Sequence, residues 1–504
     1  MAYLRTGLRE IISDILIFCE VGSGLKLRWY QEGIPRAIIE SVWTRAGRTF
    51  VVMLPRQSGK NELQAQIEAY LLLSLSALDA ELVKASPTWK PQSINAMRRL
   101  ERVLARNMVT KTYGWSKESG YVYRIDNARI YFLSGGDSAN VVGATANELL
   151  QCDEAQDVGV NKWDKDFAPM AASTNATKVF WGTAWTSKTL LARERKAAEK
   201  EEEEDGIKRV WILTAEDVAK EVPAYGDHVA GQVKKMGRNH PLIRTQYFSE
   251  EIDAKSGMFP DERIALMMGA HPEQKSPLSG HLYAMCIDVA GEDEGALGED
   301  QLIELENPAR DSTSLTLFDV DLSSLPPDEK GAPTYRTARR FNWVGEKHTK
   351  LYQQIRLIAD EWDVQYIVVD STGVGHGLAS FLEKIYPGRV ISYLFTTRSK
   401  SDLGWGFLSV IETGRFKEYV NGESDFWQQI KHCQSEVLTG QNQTIRWGVP
   451  DGTRDQLTGE LIHDDELIST ALCSALDNQE WMIVTPPIVI KGVDPLIEMD
   501  KEGF

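Results

Sequence analysis

The stretch VVMLPRQSGKNEL, residues 51–63, sets an apolar run against Gly59-Lys60 and the start of a helical pattern. Backbone N–H groups at a helix N-terminus behind a glycine turn point at anionic oxygens, and a lysine there neutralises the outer phosphates of a nucleotide. Arg56, Gln57, Ser58, Gly59, Lys60 and Asn61 are therefore candidates to hold a nucleoside triphosphate. The pattern is degenerate. Leu54 stands where G-x-x-x-x-G-K-[ST] has its first glycine, and Asn61 replaces the hydroxyl that touches magnesium. Alone, the stretch is equally well a strand–helix corner with a surface lysine.

A second motif shifts that balance. NELLQCDEAQ (147–156) ends a largely apolar strand on Asp153-Glu154. Beside a phosphate loop, the aspartate suits the magnesium shell and the glutamate suits a base for the attacking water. Gln31, in LRWYQEGI, is a candidate to read an adenine edge, against an ordinary exposed glutamine. Thr183, in WGTAWT, is a candidate to couple hydrolysis to movement, against a simple turn. A catalytic arginine is expected, with Arg98, Arg99, Arg102, Arg106, Arg124 and Arg129 as candidates, or one from a neighbouring subunit.

The second half carries another acidic pattern. Asp288 ends YAMCID, Asp370 ends YIVVD, and Asp464 and Asp465 open a helix in HDDELISTAL. Carboxylates at strand C-termini point into one crevice, and hard oxygen donors without thiols select Mg²⁺ or Mn²⁺. Three or four such groups suit two ions about 4 Å apart, which activate water and stabilise a leaving oxygen. Singly, each is as well a cap or an exposed strand end, and Asp464-Asp465 suit a helix dipole. Asp311 is a further candidate ligand, and His463 could contact phosphate. DSTGVGHGLASFL (370–382) lacks a following lysine and reads as a tight strand-to-helix turn rather than a second phosphate loop.

The elements that must carry these residues alternate. Strands are expected at 49–54, 81–86, 128–134, 147–153 and 177–183, with helices from Lys60 to about Ala77 and over 91–109, the signature of a parallel α/β sheet. A Pro/Gly/Ser cluster at 272–280 marks a linker. A second series follows, with strands at 281–290, 312–321, 337–344, 365–372 and 389–395 and helices at 347–362 and 465–478. The expected division is 1–255, a linker 256–280, 281–480, and an extended tail 481–504.

The chain has 504 residues, 42% hydrophobic and 26% charged, with no apolar run of membrane-spanning length and no signal-peptide pattern. Five cysteines without C-x-x-C spacing fit a reducing compartment and disfavour a zinc site. A net charge of −17 disfavours a uniformly nucleic-acid-binding surface but not a local basic track.

The ordered set PRQSGKNE, LLQCDEAQ, IDVAG, VVDSTGVG and HDDELISTAL resembles the large terminase subunits of tailed double-stranded DNA bacteriophages, over roughly residues 25–480. The resemblance implies an N-terminal ASCE-type P-loop ATPase and a C-terminal RNase H-like nuclease. It implies ATP and Mg²⁺ (or Mn²⁺) as cofactors. Expected partners are double-stranded DNA, the procapsid portal and a small terminase subunit. A ring of copies is expected at the portal, in the host cytoplasm. By the same resemblance Lys60 and Arg56 match the loop cations, Asp153 and Glu154 the magnesium aspartate and catalytic glutamate, and Asp288, Asp370 and Asp465 the nuclease aspartates, with Asp464 adjacent. Two departures stand out: Asn61, and an acidic insertion, 292–309, which separates Asp288 from RDST. If the insertion is a lid that repels DNA, deleting it raises nuclease activity. An ATP-dependent helicase or repair nuclease is the main rival, disfavoured by the lack of a second RecA-like half; a non-enzymatic scaffold is another.

Overall fold

The computed structural model describes residues 10–136, 139, 141, 143–252, 255–290, 312–323, 332–420, 425–438, 443–455 and 459–481. The insertion 292–309, Asp311 and the expected extended tail, save residue 481, lie outside the described residues. The chain divides into two compact units: Met1–Met258 with Gln434–Gly448, and Phe259–Cys433 with Val449–Phe504.

The first unit is built on an eight-stranded sheet. Its strands are β1 (Thr49–Met53), β2 (Glu81–Ser86), β3 (Ser116–Glu118), β4 (Val122–Ile125), β5 (Ala128–Ser134), β6 (Leu149–Cys152), β7 (Thr177–Gly182) and β8 (Val210–Ile212), in the order β3-β4-β5-β2-β6-β7-β1-β8. From β5 to β8 every pairing is parallel, and β3-β4-β5 form an antiparallel meander. The helices used below are α1 (Gly33–Trp43), α2 (Lys60–Ser74), α3 (Ile94–Arg106), α4 (Leu190–Asp205) and α5 (Pro241–Phe248). Strand periodicity splits β1 between two cores. Phe50 and Val52 join Leu63, Ile67 and Leu71 of α2 and Trp181, whereas Val51 and Met53 join Leu150 and Phe180. Covered on both faces, the central strands are near-continuous apolar runs, as parallel sheets require. The unit also contains β9 (Lys255–Gly257).

The second unit holds β10 (Leu282–Asp288), β11 (Ser312–Asp321), β12 (Thr334–Val344), β13 (Tyr366–Asp370), β14 (Val390–Tyr393) and β15 (Phe416–Lys417), ordered β14-β13-β10-β11-β12-β15. β10-β11-β12 are antiparallel, and β13 and β14 continue the sheet parallel to β10. Helices α6 (His348–Glu361) and α7 (Gly375–Ile385) cover one face, where Leu351, Ile355, Leu378 and Leu382 meet Met285, Ile287, Ile367 and Val369. Helix α8 (Thr397–Glu412) follows β14, and α9 (Asp465–Ala471) packs against β10 and β11. The expected helix over 465–478 is α-helical only to Ala471 and continues as a 3₁₀ turn to Asn478.

Residues 434–448 sit inside the stretch assigned from sequence to 281–480, yet they fold with the first unit. There β16 (Gln434–Val437) pairs with β17 (Ile445–Gly448) and with β9. All five cysteines are buried, and none of them is in a disulfide. Among the described residues, no helix is long and apolar enough to cross a membrane.

Candidate active sites

In the first unit β1 runs into a loop that ends at Gly59, the residue before α2, with φ +97°. Glycine is required there twice over: the left-handed backbone excludes most side chains, and a Cβ would lie 2.8 Å from Gln31 Nε2. The loop is held from beneath. Ser58 Oγ donates to the Pro55 carbonyl at 2.6 Å, while Tyr30 Oη and Arg28 Nη1 donate to the Ser58 carbonyl at 2.9 and 3.1 Å. Arg56 Nη1 donates to Gln246 Oε1 of α5 at 3.0 Å.

Above the loop lies a cavity of about 550 Å³, lined by Arg56, Gln57, Gly59, Lys60, Asn61 and Glu154 among others. Its size falls in the range of about 300–1,000 Å³ usual for small-ligand sites. Lys60, only 7% exposed, places Nζ 2.7 Å from Glu154 Oε1 and 3.9 Å from Asp153 Oδ1. Burial works against the Lys60 charge, but Glu154 and Asp153 outweigh it and hold its pKa above the ordinary lysine value. Burial likewise works against the Asp153 carboxylate, yet Lys60, Lys84 and the Gln64 amide keep it below the usual range. Asp157, which also lines the cavity, is pushed up to about 7 by burial and then by the Glu154 charge.

Several sequence expectations land elsewhere. Gln31 does not line the cavity. It is 5% exposed, and its side-chain oxygen accepts from the Arg28 backbone N–H at 3.1 Å. The bare Cα of Gly59 leaves the space that the Gln31 amide fills, so the residue braces the loop from behind. Ser58 and Asp153 are also buried behind the lining rather than in it. Of the six candidate arginines only Arg99 lines the cavity, with Nη1 donating to Glu62 Oε2 at 3.0 Å. Gln156 was not singled out from the sequence. Its Nε2 donates to Glu154 Oε2 at 2.9 Å, and its Oε1 accepts from the Thr183 backbone N–H at 3.2 Å. One side chain thus ties the acid after β6 to the turn after β7. The final Gln of DEAQ is its only sequence trace.

In the second unit Asp288 and Asp370 end neighbouring parallel strands, with Ile287 opposite Val369 in register. Asp370 Oδ1 accepts from the Thr372 N–H at 2.8 Å. The turn behind it needs Gly375, because a Cβ there would lie 1.9 Å from the Asp370 carbonyl oxygen. Asp465, the first residue of α9, takes hydrogen bonds on Oδ2 from Ser312 N and Oγ at 2.7 and 2.8 Å. Asp464 precedes it, 3.8 Å from Lys400 Nζ of α8. Helix α9 is pinned by Arg340, whose Nη1 donates to Thr470 and to Thr316 of β11, both at 2.7 Å, and whose Nη2 donates to Glu418 at 2.6 Å.

Asp288 feels the other three aspartates. Burial, then Asp465, Asp370 and Asp464, drive the Asp288 carboxyl well above the usual carboxylate range. Burial also raises Asp370. Among the described residues, no three His, Cys, Asp or Glu side chains form a ready-made metal cage. The donor set nevertheless fits a hard divalent cation, which would relieve this like-charge load.

Residues 327–441 match the family model described as the terminase RNase H-like domain. A stretch of 109 residues is 27% identical to the probable terminase ATPase subunit of Haemophilus phage HP1, a match that spans 21% of this chain and 17% of that relative. The chain is also similar to the large terminase of a thermophilic bacteriophage at 11% identity and TM-score 0.46, covering 88% of this chain and 98% of that one. Similarity to the HK97 bacteriophage large terminase has 12% identity and TM-score 0.39, covering 92% and 99%. At such identities the fold rests on the two sheets themselves. The similarity to the phage terminases is thus carried by the family-model match over residues 327–441 and by the 109-residue match to the HP1 protein.

Proposed function

We propose that the chain is a viral DNA-packaging motor that hydrolyses ATP in its first unit to move double-stranded DNA into a procapsid and cuts concatemeric DNA in its second. The observation that carries this reading is Lys60 Nζ at 2.7 Å from Glu154 Oε1, at the wall of a cavity that the 54–61 loop also lines. In this reading Arg56, Lys60 and the loop N–H groups hold the phosphates of ATP, and Glu154 takes a proton from the attacking water. Asp153, with Asn61 at the start of α2, would hold Mg²⁺, which supplies charge neutralisation between the phosphates. Gln156 carries the state of Glu154 to Thr183. Of the six candidate arginines, Arg99 is the one placed to stabilise charge in this cavity.

In the second unit Asp288, Asp370, Asp464 and Asp465 would hold two Mg²⁺ or Mn²⁺ ions, whose chemistry is to activate water and stabilise the leaving oxygen of a phosphodiester. The paired strand ends and the charge that the other three aspartates place on Asp288 support that assignment. The portal, a small terminase subunit and further copies of the chain in a ring are the partners this reading requires, in the host cytoplasm. The test pairs ATP turnover with plasmid cleavage in Mg²⁺ and Mn²⁺. Wild type should do both, Lys60→Ala should cut without turnover, and Asp370→Ala should turn over without cutting. Loss of both activities in either variant, or neither in wild type, rejects the proposal.

A further inference from the structure

Beneath the nucleotide cavity runs a chain of buried polar groups that the chemistry above does not use. Gln64 Nε2 donates to Asp153 Oδ1 at 3.0 Å. Lys84, in the middle of β2, donates to Gln64 Oε1 and, at 2.8 Å, to Glu68 Oε1. Gln151 Nε2 donates to the same Glu68 oxygen at 3.1 Å, and Trp181 Nε1 donates to Gln151 Oε1 at 3.0 Å. Gln64, Glu68, Gln151 and Trp181 are 0% exposed and Lys84 is 2% exposed. The chain crosses α2, β2, β6 and β7.

A buried lysine–glutamate pair is rarely worth more to stability than apolar residues of the same volume. Its value here lies in direction. Lysine and indole N–H only donate, so they fix which way each glutamine amide faces. Lys84 claims the Gln64 oxygen, and the Gln64 NH₂ must then point at Asp153. Trp181 claims the Gln151 oxygen, and its NH₂ must then point at Glu68, which anchors Lys84. A flipped Gln64 would set its oxygen against the Asp153 carboxylate and its NH₂ against the Lys84 ammonium.

We propose that Gln64 is a positioning residue for Asp153, oriented by Lys84, and that this buried chain lets a degenerate phosphate loop hold a divalent cation. The inference rests on the ATPase reading. The Gln64 amide and the Glu154 N–H, at 3.0 and 3.1 Å, both fall on Asp153 Oδ1, which fixes the carboxylate. Asn61, at the position of the usual hydroxyl, is a weaker magnesium partner, so the shell depends more on Asp153.

The test measures binding of N-methylanthraniloyl-ADP to the full chain in EDTA and in Mg²⁺, with melting temperature alongside. Gln64→Met keeps length and volume but removes the donor; Gln64→Leu serves if the first variant does not fold. Binding in EDTA should match wild type, while the tightening produced by Mg²⁺ should fall about 10–100-fold, the usual effect of losing an outer partner of a metal ligand. A folded variant that keeps the wild-type Mg²⁺ tightening, even with a lowered melting temperature, overturns the inference and leaves the chain a purely structural role. Wild type with no Mg²⁺-dependent binding overturns the ATPase reading, and this inference with it.

Discussion

Glu154 has φ +47°, in the left-handed region where a non-glycine side chain is strained. Its carboxylate is gripped on one oxygen by Lys60 and on the other by Gln156. Such a hold suits a group that must meet one water in one orientation. Glu154→Gln should lower ATP turnover by about 10²–10⁴-fold, the share a positioned base supplies, while plasmid cleavage stays at the wild-type rate. Asp157 predicts a pH effect on stability. Its folded pKa, about 7, lies above the ordinary aspartate value of 3.8, so the native state binds the proton more tightly than the unfolded chain. The resulting stability is fully present below the unfolded value and is lost as pH rises through about 7. Asp157→Asn should therefore flatten the decline in melting temperature between pH 4 and 7. Asp288 works in the same direction, through burial and then the charges of its three aspartate neighbours. Asp288→Asn should abolish cutting yet raise the melting temperature in EDTA at neutral pH by about 2–4 °C, the equivalent of roughly 1 kcal/mol in a unit this size.

At the scale of elements, the parts that place the candidate site residues are those whose sequence signals are local. β1, its loop and α2 follow from an apolar run, Gly59 and a helical pattern in one short stretch. Asp288 and Asp370 follow from apolar strands ending in an acid. Gln31 did not follow, because its role depends on the missing Cβ of Gly59, a contact between distant positions. The β3–β4 meander was also missed; strands of three and four residues carry too little periodicity to register. Lys84 shows why burial cannot be read one residue at a time: ELVKAS looks like a strand with one polar face, yet Leu82 to Ser86 are all buried. Lys84→Met leaves Glu68 without its cation and should cost about 3–5 kcal/mol in denaturant unfolding, with much of that recovered in Lys84→Met/Glu68→Gln. Gly375→Ala, forced against the Asp370 carbonyl, should disable the nuclease while ATP turnover continues.

At the scale of the molecule, each unit carries its own set of candidate acids on its own sheet, and on the proposed function the two sets of substitutions should dissociate in activity. The sequence division at 256–280 treats the chain as two beads on one thread. The hairpin of β16 and β17 changes that picture. The backbone passes between the units three times, at 258–259, 433–434 and 448–449. No single proteolytic cut can therefore free one half intact. A fragment begun at 281 would bring along two strands parted from β9, with an unsatisfied edge that invites self-association. A fragment of the second unit fit for study would need residues 434–448 replaced by a short flexible bridge, and a fragment of the first unit would need that hairpin supplied as a separate peptide.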